Sequence, residues 1–163
     1  MTTAVVVGNP KPRSRTLDAA STVVEQLTGA PPDLVVDLVD FGARLFDWSD
    51  EGVAAAVAGV QAADLVVVAS PTYKASYTGL LKLFLDRFGA GSLADVAVVP
   101  LMLGGDWRHA LAPEAFLKPV LAELGASMPT RGLFLIDSQW QTSDVLPQWL
   151  DVARRQLPSR VLS

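Results

Sequence analysis

The apolar residues of this chain gather in five short, nearly unbroken runs: "AVVV" at 4 to 7, "LVVDL" at 34 to 38, "LVVVA" at 65 to 69, "VAVVPLM" at 96 to 102 and "LFLI" at 133 to 136. Runs without alternation predict parallel strands covered on both faces. Between them, apolar positions recur at helical spacing: Leu17, Ala20, Val24 and Leu27; Val53, Ala56, Val57 and Val60; Leu81, Phe84, Leu85 and Phe88; Leu117, Val120, Leu121 and Leu124; and Leu146, Trp149, Val152 and Ala153. Strand and helix therefore alternate, which predicts an α/β protein: one open, five-stranded parallel sheet with helices on both faces. Right-handed crossovers favour the strand order 2-1-3-4-5. Ligands of such sheets sit beyond the carboxyl ends of the strands where the winding reverses, here between the first and third strands. The loops that matter are thus 8 to 16, 70 to 77 and 103 to 110.

The first loop, "GNPKPRSRT" at 8 to 16, is cationic and rich in hydroxyls. Gly8 is expected to turn the backbone, Pro10 and Pro12 to stiffen it, and Ser14 and Thr16 to lie where a helix begins. A helix start has free N–H groups and a positive dipole end, so with Lys11, Arg13 and Arg15 beside it an anion such as phosphate is the natural guest. The spacing matches neither Gly-x-Gly-x-x-Gly nor a Walker loop. A capped helix start with solvated basic residues explains the same stretch without any ligand. In the second loop, "SPTYKASYTG" at 70 to 79, Pro71 fixes the turn, Tyr73 offers a flat amphipathic ring and Thr78 is placed to cap the next helix. In the third, "LGGDWRHA" at 103 to 110, Gly104 and Gly105 would clear the path of a flat ligand and expose backbone N–H groups to it. A rigid corner and a plain turn are the ligand-free accounts of these two. His109 is the single histidine and, with no nucleophile beside it, reads as a surface or capping residue.

The bulk numbers bound these readings. At 163 residues the chain has the length of one domain, and residues 1–163 are read as one. Half of its residues are hydrophobic and 18% charged, which fits a compact globule. A net charge of −4 with scattered basic residues argues against a nucleic-acid backbone as partner. The run at 96 to 103 is too short to span a membrane. The start of the chain lacks an export pattern, and the absence of cysteine agrees with a reducing compartment, so a cytoplasmic location is expected. Pro119 lies inside a helical stretch from 113 to 125; without a backbone donor there, the helix should kink or bulge near 115 to 119.

Together "GNPKPRSRT", "SPTYKASYTGLLKLFLD" and "GGDWRHALAPEAFLKPVLAELGA" resemble the NADPH-dependent FMN reductases of the flavodoxin-like superfamily. The resemblance runs from the first strand to about Ile136, and is nearest to the reductase partners of two-component alkanesulfonate monooxygenases. It implies a flavodoxin-like three-layer sandwich and hydride transfer from NADPH, or NADH, to FMN. Lys11, Ser14, Arg15 and Thr16 fall where the family holds the FMN phosphate; Pro71, Thr72, Tyr73 and Lys74 where it borders the isoalloxazine ring; Gly104, Gly105 and Asp106 against the ring's polar edge. Asn9 and Lys11 depart from the family's usual "Gly-Ser-x-Arg" start while keeping polarity and charge. Ala115 stands where some relatives carry an aromatic residue, and Phe116 is the aromatic one here. The family also implies a homo-oligomer, a dimer or tetramer, in which the helix holding Pro119 packs between subunits, and a flavin-dependent monooxygenase as recipient. No general acid or base is expected, since a hydride needs placement and electrostatics only. Arg108, Lys74 or a residue of another subunit would meet the 2′-phosphate of NADPH. A flavodoxin-type electron carrier and a quinone or azo-compound reductase with retained FMN are the rival readings.

Overall fold

The computed structural model describes residues 1–161, the side chain of residue 160 excepted; residues 162 and 163 of the expected domain lie outside the described residues. Its strands are β1 (Thr3–Val7), β2 (Leu34–Asp37), β3 (Leu65–Pro71), β4 (Ala97–Gly104) and β5 (Leu133–Ile136), all parallel, in the order β2-β1-β3-β4-β5. Helices α1 (Arg15–Thr28), α2 (Glu51–Gln61), α3 (Gly79–Leu85), α4 (Lys118–Glu123) and α5 (Val145–Gln156) connect or follow them.

Successive strand residues point to opposite faces, so an unbroken valine run feeds two cores at once. Val6, Val66, Val68, Val98, Met102 and Phe134 pack under α2, α3 and α4, while Val5, Val7, Val67, Val99 and Leu101 pack under α1 and α5. The edge strand β2 departs from this pattern: Val35 is 48% exposed. Pro100 is tolerated inside β4 because it pairs with Val68 on one side, whereas the β5 ladder begins only at Leu101.

One helix differs from its sequence reading and another agrees with it. Along α5 the buried stripe is Leu146, Leu150 and Ala153, continued by Leu157; Trp149 is partly buried and Val152 is 41% exposed. Spacings of four, three and four residues hold one face toward the sheet, and Trp149 and Val152 instead line a groove beside β5. The bulge expected from Pro119 is present. Residues Pro113–Leu117 form a π turn, in which the N–H of Lys118 reaches back to the carbonyl of Pro113, and regular α4 follows. Glu114 secures this turn, accepting from the Gly132 N–H at 2.5 Å and pairing with Lys118 Nζ at 3.0 Å.

Candidate functional site

At the carboxyl ends of β1, β3 and β4 an open cleft of about 330 Å³ is lined by Asn9, Lys11, Ser14, Arg15, Pro71, Thr72, Tyr73, Leu103, Gly104, Gly105 and Asp137. Nine of the thirteen residues singled out from sequence line it. Volume does not select this cleft, since a groove of about 410 Å³ beside β5 contains none of them; chemistry does, because three loops converge here.

The floor is built by close packing. A Cβ placed on Gly8 would stand 2.4 Å from Leu81 Cβ, so glycine lets the start of α3 approach the end of β1. Gly8 has no positive φ, which corrects the expectation that it serves to turn the chain. Its N–H donates to the Ala69 carbonyl at 2.8 Å, and its carbonyl accepts the Thr78 hydroxyl at 2.5 Å. Thr78 caps α3 by accepting from the Leu81 N–H at 3.1 Å, while its own N–H donates to Ser70 Oγ at 3.0 Å. Gly104 fits equally tightly: a Cβ there would lie 2.7 Å from the Phe134 ring.

The first loop is held from within. Ser14 caps α1, accepting from the Leu17 N–H at 3.2 Å. Asn9 accepts from the Lys11 N–H at 3.0 Å and donates to Thr16 Oγ1 at 2.9 Å. The Thr16 hydroxyl thus faces the loop interior, and Thr16 lies outside the cleft lining. Arg13 also lies outside it, in a left-handed turn with φ 48°. Behind that turn the Asp37 carboxylate is 8% exposed, and its Oδ1 has no partner among the described residues. Burial, with Asp40 adding repulsion, pushes its pKa above the ordinary carboxylate value, against the favourable pull of the Arg13 and Val39 N–H groups.

In the second loop Tyr73 and Ser76 exchange backbone hydrogen bonds at 2.8 and 3.2 Å around Lys74 (φ 51°) and Ala75 (φ 69°). Two consecutive positive φ angles make this a type I′ turn, built here without glycine or asparagine. It leaves Lys74 at the tip, outside the lining, and Tyr73 on the rim, 52% exposed. Among the described residues all three non-glycine positive φ angles lie in these two loops, and strain of this kind concentrates at functional sites. In the third loop nothing lies within 4 Å of a Cβ on Gly105. Asp106 caps the following turn through the Arg108 N–H at 2.8 Å and pairs with Arg108 Nη2 at 3.1 Å, contacts that lower its pKa and raise that of the guanidinium. Asp106 therefore flanks the cleft and Arg108 is already partnered. Two lining residues, Leu103 and Asp137, were not singled out from sequence.

An anion with a flat aromatic attachment fits these groups. The N–H groups of Arg15 and Thr16 at the start of α1 have no acceptor among the described residues, and buried Thr72 Oγ1 has no partner there either. Open space at Gly105 and the Tyr73 ring border the remainder.

Comparison with known proteins agrees with this geometry. The sequence profile of the family described as NADPH-dependent FMN reductase matches residues 1–141. An FMN reductase (NADPH) of Escherichia coli (strain K12) is 45% identical over 80 residues, covering 49% of this chain but 42% of that protein's own length. An FMN reductase (NADPH) of Pseudomonas aeruginosa is 29% identical over 96% of this chain and 88% of its own, and the NADH-dependent FMN reductase SfnF of Pseudomonas putida is 33% identical over 80% and 74%. Among solved structures, an NADH:FMN oxidoreductase in its apo form superposes with a TM-score of 0.84 at 31% identity, over 97% of this chain and 90% of its own. Three loops in this order, on this sheet, under a profile spanning most of the sequence, place the chain in the NADPH-dependent FMN reductase family.

Proposed function

We propose that this chain is an NAD(P)H-dependent FMN reductase, a single FMN-binding domain that delivers reduced flavin to a monooxygenase. The observation that carries the reading is the convergence of the free α1 N–H groups, Lys11 and Arg15 with Tyr73 and the open space at Gly105 in one cleft. FMN held there would supply the acceptor for a hydride from the reduced nicotinamide. The protein's part is placement. Ser14, Lys11 and Arg15, with the N–H groups of Arg15 and Thr16, hold the phosphate; Asn9 keeps the loop in shape. Pro71, Thr72 and Tyr73 border the ring, with Lys74 at the turn above them. The Gly105 and Asp106 N–H groups would stabilise the negative charge that grows on the ring's polar edge as it is reduced. Gly104 sets the depth of the wall by seating against Phe134. Arg13 contributes to the loop's positive field from outside the lining.

Relatives named for either NADPH or NADH support both donors for the class. The Arg108 guanidinium meets Asp106 through Nη2 alone and keeps its other donors for a 2′-phosphate, and nothing in that contact is at odds with NADH use. The relatives SfnF and SfnE are likewise named FMN reductases, and the monooxygenase recipient follows the resemblance drawn from the sequence. Outward-facing Leu111 (69% exposed) and Phe116 (45% exposed), next to Ala115 and Pro119, offer an apolar face to a second copy of the chain. No helix among the described residues is long and apolar enough to cross a membrane.

The deciding experiment follows NADPH and NADH oxidation with and without added FMN, beside titration of the protein with FMN and riboflavin. FMN-dependent oxidation and clear preference for FMN over riboflavin are expected. Oxidation that ignores added FMN, or equal binding of the two flavins, would overturn the reading.

A further inference from the structure

Asp137 follows β5 directly, and its N–H donates to the Gly104 carbonyl at 2.9 Å, which fixes its backbone beside the third loop. Its carboxylate lies 2.5 Å from Nη1 of Arg15, at the start of α1. Two strands, β3 and β4, separate β1 from β5, so the Arg15 side chain must extend across the cleft to make this contact. The pair is not a core strut: the two side chains are 63% and 41% exposed, and exposed ion pairs add little to stability. Among the described residues three charged groups line the cleft, Lys11, Arg15 and Asp137. The single carboxylate therefore cancels one of only two cations there. A cleft shaped solely for tight retention of an anion gains nothing from that placement.

We infer that Asp137 is a built-in competitor for Arg15, which sets the affinity of the cleft for phosphate-bearing flavin and keeps that flavin exchangeable. The inference rests on the FMN reading proposed above. A guanidinium has five donors in a fixed fork, so Arg15 can turn part of it to a phosphate. While the carboxylate stays, each such approach meets like charge from Asp137. Removing that charge should strengthen phosphate binding and leave the ring's contacts unchanged.

The test is titration of the unaltered chain and of Asp137→Asn, which keeps side-chain shape, with FMN and riboflavin at low and high salt. Expected for the variant is about a tenfold lower Kd for FMN at low ionic strength, the size of effect one unit charge exerts on a doubly charged group nearby at a protein surface. Riboflavin should change less than about twofold, and the FMN gain should shrink toward unity near 1 M salt, where the screening length falls to about 3 Å. Asp137→Glu, which restores the charge, should return the wild-type value; Asp137→Ser serves if the asparagine variant melts early. Weaker FMN binding in Asp137→Asn would overturn the inference and make Asp137 an orienting partner of Arg15. Equal gains for FMN and riboflavin would also overturn it, since the pair would then be a steric bar. Failure of the underlying reading looks different: wild-type protein itself would not distinguish the two flavins.

Discussion

Gly8 follows β1 beneath the cleft and Gly105 follows β4 at its rim, and a methyl group added at each meets opposite surroundings. At Gly8 it would be driven into Leu81, 2.4 Å away; at Gly105 nothing lies within 4 Å. The contrast extends to their neighbours. Below the cleft, Ser70, Thr78 and the Gly8 peptide spend their hydrogen bonds on one another, joining β1, β3 and α3 into one block. Along the rim, Lys11, Tyr73, Gly105 and Asp106 are exposed, and the first N–H groups of α1 lack acceptors among the described residues. The floor is committed to the fold and the rim is held open for a ligand, so substitutions on the two should separate into stability effects and binding effects.

The largest effect should come from Gly8→Ala. Overpacking a rigid backbone junction costs about 1 to 3 kcal/mol, and occasionally more. With the contact against Cβ and backbone of Leu81, the upper end of about 3 kcal/mol is expected, read as a drop in thermal midpoint or in denaturant midpoint. A variant that keeps wild-type stability would break the distinction between floor and rim.

Arg15→Gln sharpens the other side. A charged hydrogen-bond donor to phosphate is worth about 1.5 to 3 kcal/mol, so FMN affinity should fall roughly tenfold or more. Riboflavin binding should stay nearly constant and folding stability should move by less than about 0.5 kcal/mol, as for exposed surface positions. Equal losses for both flavins would place Arg15 near the ring and not the phosphate.

The adjacent glycines of the third loop allow a narrower test. Gly104→Ala would press on the Phe134 ring at 2.7 Å, a side chain that can shift, so a stability cost of about 1 to 2 kcal/mol is expected. Gly105→Ala should leave stability within about 0.5 kcal/mol while weakening both flavins, because its methyl would enter ligand space alone. Chemical denaturation and flavin titration on the same preparations read both outcomes. A loss of stability in Gly105→Ala would show that the rim, too, belongs to the core.

How much of this was legible in the sequence follows from which interactions are local. The strands could be read because burial on both faces forces unbroken apolar runs, and Ser14 and Thr78 because a cap acts on an N–H three residues away. Gly8 was located correctly but for the wrong reason, since its tight neighbour, Leu81, is 73 positions distant. Asp137 was missed for the same cause. It stands in an unremarkable "DSQ" after β5, and its partner lies 122 positions earlier, so only the folded sheet brings the two together. Thr16 faces inward because Asn9 takes its hydroxyl, a choice between two orientations that spacing does not decide. Along α5, helical period was evident but its phase was not. Trp149 and Val152 are as apolar as Leu150, and only the path of the helix over the sheet turns them to the surface groove.

Asp37 offers the smallest and most conditional test, because it belongs to both regions: a floor residue by burial, and the support of a rim turn through Arg13. Burial raises its folded pKa above the ordinary 3.8, with repulsion from Asp40 adding to the rise. An acid whose folded value is raised binds its proton more tightly in the native state. Its contribution therefore favours folding in acid, and is lost as pH climbs from the unfolded value through the folded one. Asp37→Asn removes that dependence while keeping the side-chain shape. The stability of the variant relative to wild type should accordingly shift in the variant's favour as pH rises from 3.8 through the folded value, then level off, in paired denaturation curves across pH. A wild-type advantage that grows with pH would mean that the Arg13 and Val39 N–H groups outweigh burial. The carboxylate would then be a fastening for the rim and not a cost of the floor.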